Sequence, residues 1–174
     1  KLIILDDYSK PENLAKIEKI VNDSNINCEL VKHDIAKYKD QIKDQKTKET
    51  FSNLSSLLTS FHIGKEIGKD LIFFIEDDYI HLENMIIEVV KTYERISSQL
   101  DKDIFICPSD YPYLYMNNEK ANVLIGDKQH WRTVYKTLCT FLTSKHLLIK
   151  YWDNFEKNCV DRHNPFEKYL NEIY

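Results

Sequence analysis

Apolar runs alternate with segments of helical spacing over the first 107 residues of the chain. The continuous apolar runs, typical of buried parallel strands, lie at residues 2–5, 28–31, 71–75 and 104–107. The segments between them carry apolar residues every three or four positions, as amphipathic helices do, over residues 11–21, 49–66 and 82–96. Because strands alternate with helices, the pattern predicts an α/β fold with a mostly parallel, three-layer central sheet.

The pattern is less regular beyond residue 107. Strands are predicted at residues 122–125 and 131–135, and helices are predicted at residues 144–157 and 165–173. The chain has 174 residues, which suits one domain with one hydrophobic core. We therefore predict a single domain over residues 1–174, with a regular half at 1–107 and a less regular half at 108–174.

Two of the predicted strands end directly at carboxylates. The third apolar run stops at Glu76, Asp77 and Asp78, and the first stops at Asp6 and Asp7. In open α/β sheets, ligands bind outside the carboxyl ends of the strands. Neighbouring carboxylates repel one another unless a cation compensates, and divalent metals with oxygen ligands commonly bridge phosphates. The alternatives are a solvated acidic turn at 76–78 and a carboxylate favoured by a helix dipole at Asp6 or Asp7.

Composition excludes several classes of function. The formal net charge is −4 and 30% of the residues are charged, so a broad basic face for nucleic acid is not expected. The four cysteines show no Cys-x-x-Cys spacing, which favours buried thiols in a reducing, cytoplasmic compartment over zinc ligands. No apolar run approaches the roughly 20 residues of a membrane span, and no signal peptide is visible.

Three polar clusters in the second half are candidate functional sites. Asp110 is followed by Tyr111, Tyr113 and Tyr115, whose rings could stack on a sugar or a base while Asp110 holds hydroxyl groups. The alternative is a proline-fixed loop whose tyrosines pack against one another.

The second cluster is His130, Trp131 and Arg132, in which the arginine suits phosphate recognition. Its alternative is a surface strand with an ordinary aromatic anchor. The third is the stretch at 161–165, where Asp161 could act as a general base. Its alternative is a helix-capping turn.

Taken together, these residues resemble a nucleotide-sugar-dependent glycosyltransferase of the GT-A fold, close to family 2 and to small capsule or viral transferases. Residues 2–9 look like that family's strand ending in Asp-Asp-x-Ser, and residues 73–78 look like its Asp-x-Asp region in a Glu-Asp-Asp form. The helix before this region, with Asn53, is similar to the family's helix at that place. His130-Trp131-Arg132 followed by Thr140-Phe141 resembles a segment of a smaller subgroup.

The resemblance implies a Rossmann-like GT-A fold in which residues 1–107 bind the nucleotide sugar and residues 108–174 bind the acceptor. By the same resemblance, the family's first strand would lie ahead of Leu2, and we expect the domain at 1–174 to lack it. The implied activity is metal-dependent transfer of a sugar, with inversion, from a nucleotide diphosphate sugar to a hydroxyl acceptor. The expected donor is a UDP-sugar and the expected metal is Mn²⁺ or Mg²⁺. Nucleic acid is not an expected partner, and peripheral contact with a membrane stays open.

The resemblance also implies roles for individual residues. Asp6 or Asp7 would contact the nucleotide base, while Asp77 would meet the ribose or the metal and Asp78 would coordinate the metal. The remaining donor-binding residues would be Glu76 and Arg132. The catalytic base would be Asp161, with Glu167 as the alternative.

Two other functions compete with this hypothesis. A receiver-like phosphoacceptor domain also carries paired aspartates after its first strand, but here the acidic clusters are about 70 residues apart and no lysine completes the set. A non-catalytic carbohydrate-binding domain could use the tyrosine loop and would bind sugar without metal or nucleotide. A Walker-type nucleotidase is disfavoured because the sequence has no Gly-rich phosphate loop.

Overall fold

The computed structural model describes residues 1–116 and 120–174 as a mixture of helices and short strands. Its elements in chain order are β1 (Leu2–Asp6), α1 (Pro11–Asp23), β2 (Cys28–Lys32), α2 (Lys48–Ile67), β3 (Leu71–Phe74), α3 (Met85–Leu100), a 3₁₀ helix (Pro112–Tyr115), β4 (Val123–Ile125), β5 (His130–Arg132), β6 (Phe141–Ser144), α4 (Lys145–Lys150) and α5 (Trp152–Val160). The predicted mixed α/β class is confirmed.

The chain divides into two compact units. The first consists of residues 1–62 and 159–162, and the second consists of residues 63–158 and 163–174. The two units are defined by the contacts within each of them. They do not test the predicted division of function at residue 107, which stays a prediction.

The first unit is built on a parallel pair of strands. β1 and β2 run side by side from the pair Leu2–Cys28 to the pair Asp6–Lys32, and α1 is the crossover between them. Parallel neighbours need such a crossover because the chain must return to the same end of the sheet. The buried side chains of α2 recur at helical spacing, and they include Leu54, Leu58 and Phe61. The β1 strand therefore delivers Asp6 and Asp7 to its carboxyl end.

The second unit is built on an antiparallel pair of strands. β3 pairs with β6 from Leu71–Ser144 to Phe74–Phe141, and Ile106 forms a single bridge with Leu142. Helix α3 buries Val89 and Tyr93 in the same apolar cluster as Ile106 and Leu142. Because the pair is antiparallel, the carboxyl end of β3 lies beside the start of β6.

Gly64 allows the end of α2 to approach β3 closely. A side chain built on Gly64 would place its Cβ 2.7 Å from the Phe74 ring, which is too close for real atoms. This explains why a glycine stands inside the helix, where it costs conformational entropy.

The predicted mostly parallel sheet is not what the described strands form. Within residues 1–116 and 120–174 there are three two-stranded sheets, of which β1–β2 is parallel while β3–β6 and β4–β5 are antiparallel. The physical reason is that a continuous apolar run reports burial but not the direction of the neighbouring strand.

Several local predictions also need correction. The predicted strand at 104–107 is reduced to the one bridge at Ile106, and the helix predicted over 144–157 is two helices, α4 and α5. Residues 165–173 form successive turns instead of a helix. The strand predicted at 122–125 is confirmed as β4. Within the described residues, no helix is both long and apolar enough to cross a membrane.

Candidate functional site

The acidic turn, residues 76–78, follows directly after β3 and is exposed to solvent. The backbone N–H of Glu76 donates to Thr140 Oγ1 at 3.3 Å, which ties the start of the turn to the residue before β6. The strand β3 thus ends just before the acidic residues, as predicted. Among the described residues, none of the three carboxylates of the turn forms an ion pair with a lysine, an arginine or a histidine. The turn is therefore a strongly negative surface fixed at the end of a buried strand.

The electrostatics of the acidic turn favour a proton or a cation. Although Glu76 is a surface residue, partial desolvation of its carboxyl, with repulsion from Asp78, Glu167 and Asp77, raises its pKa from 4.5 to about 7. Within the described residues no three His, Cys, Asp or Glu side chains converge on one point. A metal at this turn would therefore take at most two of its carboxylates, and Mg²⁺ commonly takes one or two from a protein when phosphate oxygens and water complete its shell.

Glu76→Gln is expected to stabilise the fold at pH 8 by about 1 kcal/mol, an amount kept small because solvent screens surface carboxylates. The native state holds the Glu76 proton more tightly than the unfolded state, so the free energy of unfolding of the wild type falls as the pH rises from 4.5 to about 7. The variant lacks this loss. Urea unfolding at pH 4 and pH 8 in EDTA measures it, with the exposed Glu83→Gln as control. An equal effect at both pH values would contradict the assignment.

The tyrosine segment, residues 111–115, contacts the residue that follows the acidic turn. The rings of Tyr79 and Tyr111 lie edge to face with centroids 6.3 Å apart, and their hydroxyl groups are in contact. Tyr111 in turn stacks on Tyr113 at 5.4 Å with an interplanar angle of 17°. Tyr115 donates a hydrogen bond of 2.6 Å to Asp110 Oδ2. The structure therefore brings two of the predicted clusters together, and the tyrosines also pack against one another as the alternative interpretation expected.

Arg132 reaches the other end of the tyrosine segment. Its Nη1 donates to the Leu114 carbonyl at 3.0 Å, and its Cζ lies 5.0 Å from the centre of the Tyr115 ring. Trp131, which belongs to the same predicted cluster, contacts helix α3 instead, and its indole Nε1 donates to Glu88 Oε1 at 3.1 Å. Trp131 is thus the aromatic anchor of its strand, and Arg132 is the member of the cluster that lies against candidate ligand-binding residues.

Glu88 is a buried carboxylate that sequence reasoning missed. It accepts hydrogen bonds from Trp131, Thr92 and the backbone N–H groups of Lys128 and Gln129. Burial alone would raise the pKa of Glu88, but these donors outweigh it and the pKa lies below the ordinary value. Its place on the buried face of α3 is the one sequence signal that could have found it. The residue fastens the turn before β5 to α3 and belongs to the fold.

Glu167, the alternative catalytic base, is buried and used internally. Its Oε2 accepts from the Thr137 N–H at 3.0 Å, while its Oε1 accepts from Thr137 Oγ1 at 2.8 Å and from the Cys139 N–H at 2.7 Å. Leu138 and Cys139 have φ angles of 49° and 63°, a left-handed conformation that is costly for side chains with a Cβ. Successive N–H groups in such a conformation form an anion-binding concavity. Glu167 is the anion that fills it, so it is not placed to take a proton from a substrate.

In the first unit, the structure separates the roles of Asp6 and Asp7. Asp6 is buried and its Oδ1 accepts from the Ser9 N–H at 3.2 Å. Asp7 is partly exposed, and its two oxygens contact His33 Nδ1, at 2.7 Å, and the Ser52 hydroxyl. Of the predicted pair, Asp7 is the residue that can reach a ligand.

An Asp–His–Ser arrangement lies behind Asp7. His33 Nε2 is 3.0 Å from the Ser55 hydroxyl, so the order of groups matches that of a serine hydrolase. Both His33 and Ser55 are buried, and the Ser55 hydroxyl also donates to the Ile35 carbonyl. A buried serine cannot attack a substrate. The arrangement therefore fixes the carboxylate of Asp7.

Asp161, the predicted catalytic base, belongs to the short stretch 159–162 that packs with the first unit. Its Oδ1 accepts from the Arg162 N–H at 2.9 Å, a local contact within the turn. This contact fits the alternative of a turn, and the role of a base stays a prediction.

Comparison with known proteins gives no family for this chain. No protein-family model matches it, and neither the curated proteins nor the solved structures include a match. The resemblance to GT-A glycosyltransferases therefore stays a hypothesis that rests on the residues of this sequence and their surroundings.

Proposed function

We propose that the chain is a metal-dependent glycosyltransferase that moves a sugar from a nucleotide diphosphate sugar, in the first instance a UDP-sugar, to a hydroxyl acceptor. The observation that carries the proposal lies within the second unit. There an exposed acidic turn at the end of a buried strand adjoins a segment of stacked tyrosines through the contact between Tyr79 and Tyr111. One surface thus offers carboxylates for a metal and aromatic rings for a sugar.

The chemistry of the donor set fits a hard divalent cation. Asp77 and Asp78 are exposed carboxylates in a turn whose negative charge already raises the pKa of Glu76 to about 7. They would hold Mn²⁺ or Mg²⁺ through oxygen. When bound, such an ion neutralises the charge that develops on a diphosphate leaving group.

The tyrosine segment would bind the sugars. Tyr113 already contacts the Tyr111 ring and Lys136, so the exposed ring of Tyr115 is the one that would meet a sugar. An aromatic ring with a hydroxyl edge suits the apolar face and the hydroxyl groups of a sugar ring. Tyr115 donates to Oδ2 of Asp110 at the same segment, and the other oxygen, Oδ1, would accept from a substrate hydroxyl. This arrangement supports a role for the second half of the chain in acceptor binding.

The finer features of a GT-A enzyme belong to this proposal as well. The parallel β1–β2 pair with its α1 crossover supports a nucleotide-binding half within residues 1–107. In that half we assign the base contact to Asp7, which His33 and Ser52 hold in place. The catalytic base of a single inverting displacement is assigned to Asp161, following the resemblance.

A non-catalytic carbohydrate-binding domain is the second candidate. The exposed Tyr115 ring of the tyrosine segment favours it, because exposed aromatic rings bind sugars without any chemistry. It differs from the first candidate in needing neither metal nor nucleotide.

The experiment is a screen of nucleotide sugars for turnover by the purified chain, with hydrolysis to the nucleotide diphosphate measured by chromatography. We expect release of the diphosphate from one donor in the presence of Mn²⁺ and its loss when EDTA is added. If no donor is turned over with any divalent metal, while immobilised glycans retain the chain in EDTA, the transferase proposal is wrong and the second candidate replaces it.

A further inference from the structure

Arg132 is a half-buried cation with an unmet hydrogen-bond donor. Its Nη1 is used by the Leu114 carbonyl, and its Cζ lies 5.0 Å from the centre of the Tyr115 ring. Over residues 1–116 and 120–174, its Nε is buried without a hydrogen-bond partner. A buried donor without an acceptor destabilises the fold, so this geometry leaves a place for an acceptor.

Lys136 is held in the same way on the next ring of the segment. Its Nζ lies 4.5 Å from the centre of the Tyr113 ring, and the residue is half-buried. Within the described part of the chain, neither Lys136 nor Arg132 forms an ion pair with a carboxylate. The carboxylate of Asp110 accepts a hydrogen bond from the Tyr115 hydroxyl.

The chain has 28 acidic and 24 basic residues, so carboxylates are plentiful as partners for its cations. Arg132 and Lys136 nevertheless lie against aromatic rings, and this placement needs an explanation. An aromatic ring attracts a cation, but a ring face does not satisfy the N–H groups of a guanidinium or an ammonium. An anion with several oxygens would satisfy them. The phosphoryl group suits best, because a guanidinium binds it in a planar, two-bond geometry and an ammonium binds it as a point charge.

We infer that Arg132 and Lys136, held on the rings of Tyr115 and Tyr113, form a binding site for a phosphoryl group of the substrate. Both rings belong to the tyrosine segment, whose Tyr111 end touches Tyr79 beside the acidic turn. The identity of the substrate rests on the proposed function. The group is either the diphosphate of the donor or a phosphate carried by the acceptor.

The test is titration calorimetry with inorganic pyrophosphate in EDTA, which removes the contribution of metal at the acidic turn. Lys136→Gln and Arg132→Gln are each expected to weaken binding about tenfold or more, because each removes a charge-assisted contact. The control is Lys128→Gln, which removes an exposed lysine from the loop between β4 and β5 and should bind like the wild type. Urea unfolding of each variant shows whether it is folded, and Arg132→Lys, which keeps the charge, should retain part of the affinity.

The inference is overturned if pyrophosphate does not bind the wild type in EDTA. It is also overturned if Lys136→Gln, Arg132→Gln and Lys128→Gln bind pyrophosphate with equal affinity. Two further ligands identify the source of the group. If Arg132→Gln and Lys136→Gln weaken the binding of UDP but not of glucose 6-phosphate, the phosphoryl group is that of the donor. If they weaken the binding of glucose 6-phosphate but not of UDP, it is that of the acceptor. Because pyrophosphate binding needs no turnover, the site can be present even if the screen of nucleotide sugars finds no activity.

Discussion

Replacing Glu167 by Gln is expected to lower the free energy of unfolding by about 2–4 kcal/mol, the range of a buried charged network that loses an acceptor. All three groups that contact this carboxylate donate to it: the N–H groups of Thr137 and Cys139 and the Thr137 hydroxyl. A glutamine amide has one oxygen and one NH₂ group, so a donor would face a donor. The left-handed conformation of Leu138 and Cys139 would lose the anion that holds it.

Urea denaturation followed by tryptophan fluorescence and circular dichroism measures the effect of Glu167→Gln. The matched control is Glu172→Gln, an exposed glutamate in the same C-terminal turns, which should change the stability by less than about 0.5 kcal/mol. If both variants unfold at the same urea concentration, the carboxylate does not hold the loop, and Glu167 becomes available again as a catalytic base.

Asp78→Asn is expected to reduce the turnover of a nucleotide sugar by about 10²–10³-fold, the usual cost of one lost group that stabilises charge in a transition state. The amide cannot replace a carboxylate as a strong ligand for a divalent cation. The fold should not suffer, because the variant removes one of the charges that repel Glu76. The measurement is the rate of diphosphate release at saturating donor and Mn²⁺, with the protein's unfolding curve recorded in parallel.

The control for Asp78→Asn is Glu83→Gln, which removes an exposed carboxylate five residues further along the chain and should keep the wild-type rate. Wild-type turnover by Asp78→Asn at every Mn²⁺ concentration would remove this residue from the metal site. Equal losses in both variants would point instead to the general negative charge of this surface.

The helices could be predicted from the sequence because their signal is long and local. Apolar residues at helical spacing predicted α1, α2 and α3, and the apolar runs predicted β1, β2 and β3. The partner of β3 could not be predicted, since β6 lies about 70 residues further along the chain and a four-residue apolar run carries no information about its neighbour. The parallel sheet was expected from the alternation of strands and helices, which holds for β1 and β2 but not for β3.

For the candidate site too, the sequence could predict the local features but not the long-range contacts. The acidic turn could be located because a buried strand and three carboxylates are adjacent in the sequence. The roles of Glu88 and Glu167 could not, because each is set by backbone N–H groups in distant turns whose conformation no local pattern encodes. His33, which fixes Asp7 from 26 residues away, gave no signal either.

Thermal unfolding with UDP and Mn²⁺ tests the proposal that the acidic turn holds a divalent cation against a nucleotide diphosphate. We expect UDP and Mn²⁺ together to raise the melting temperature of the wild type by more than the sum of their separate effects. This excess should vanish in the Asp77→Asn/Asp78→Asn double variant and persist in Glu83→Gln. An excess of the same size in the double variant, or a UDP effect in EDTA as large as that with Mn²⁺, would show that Asp77 and Asp78 hold no cation against the diphosphate.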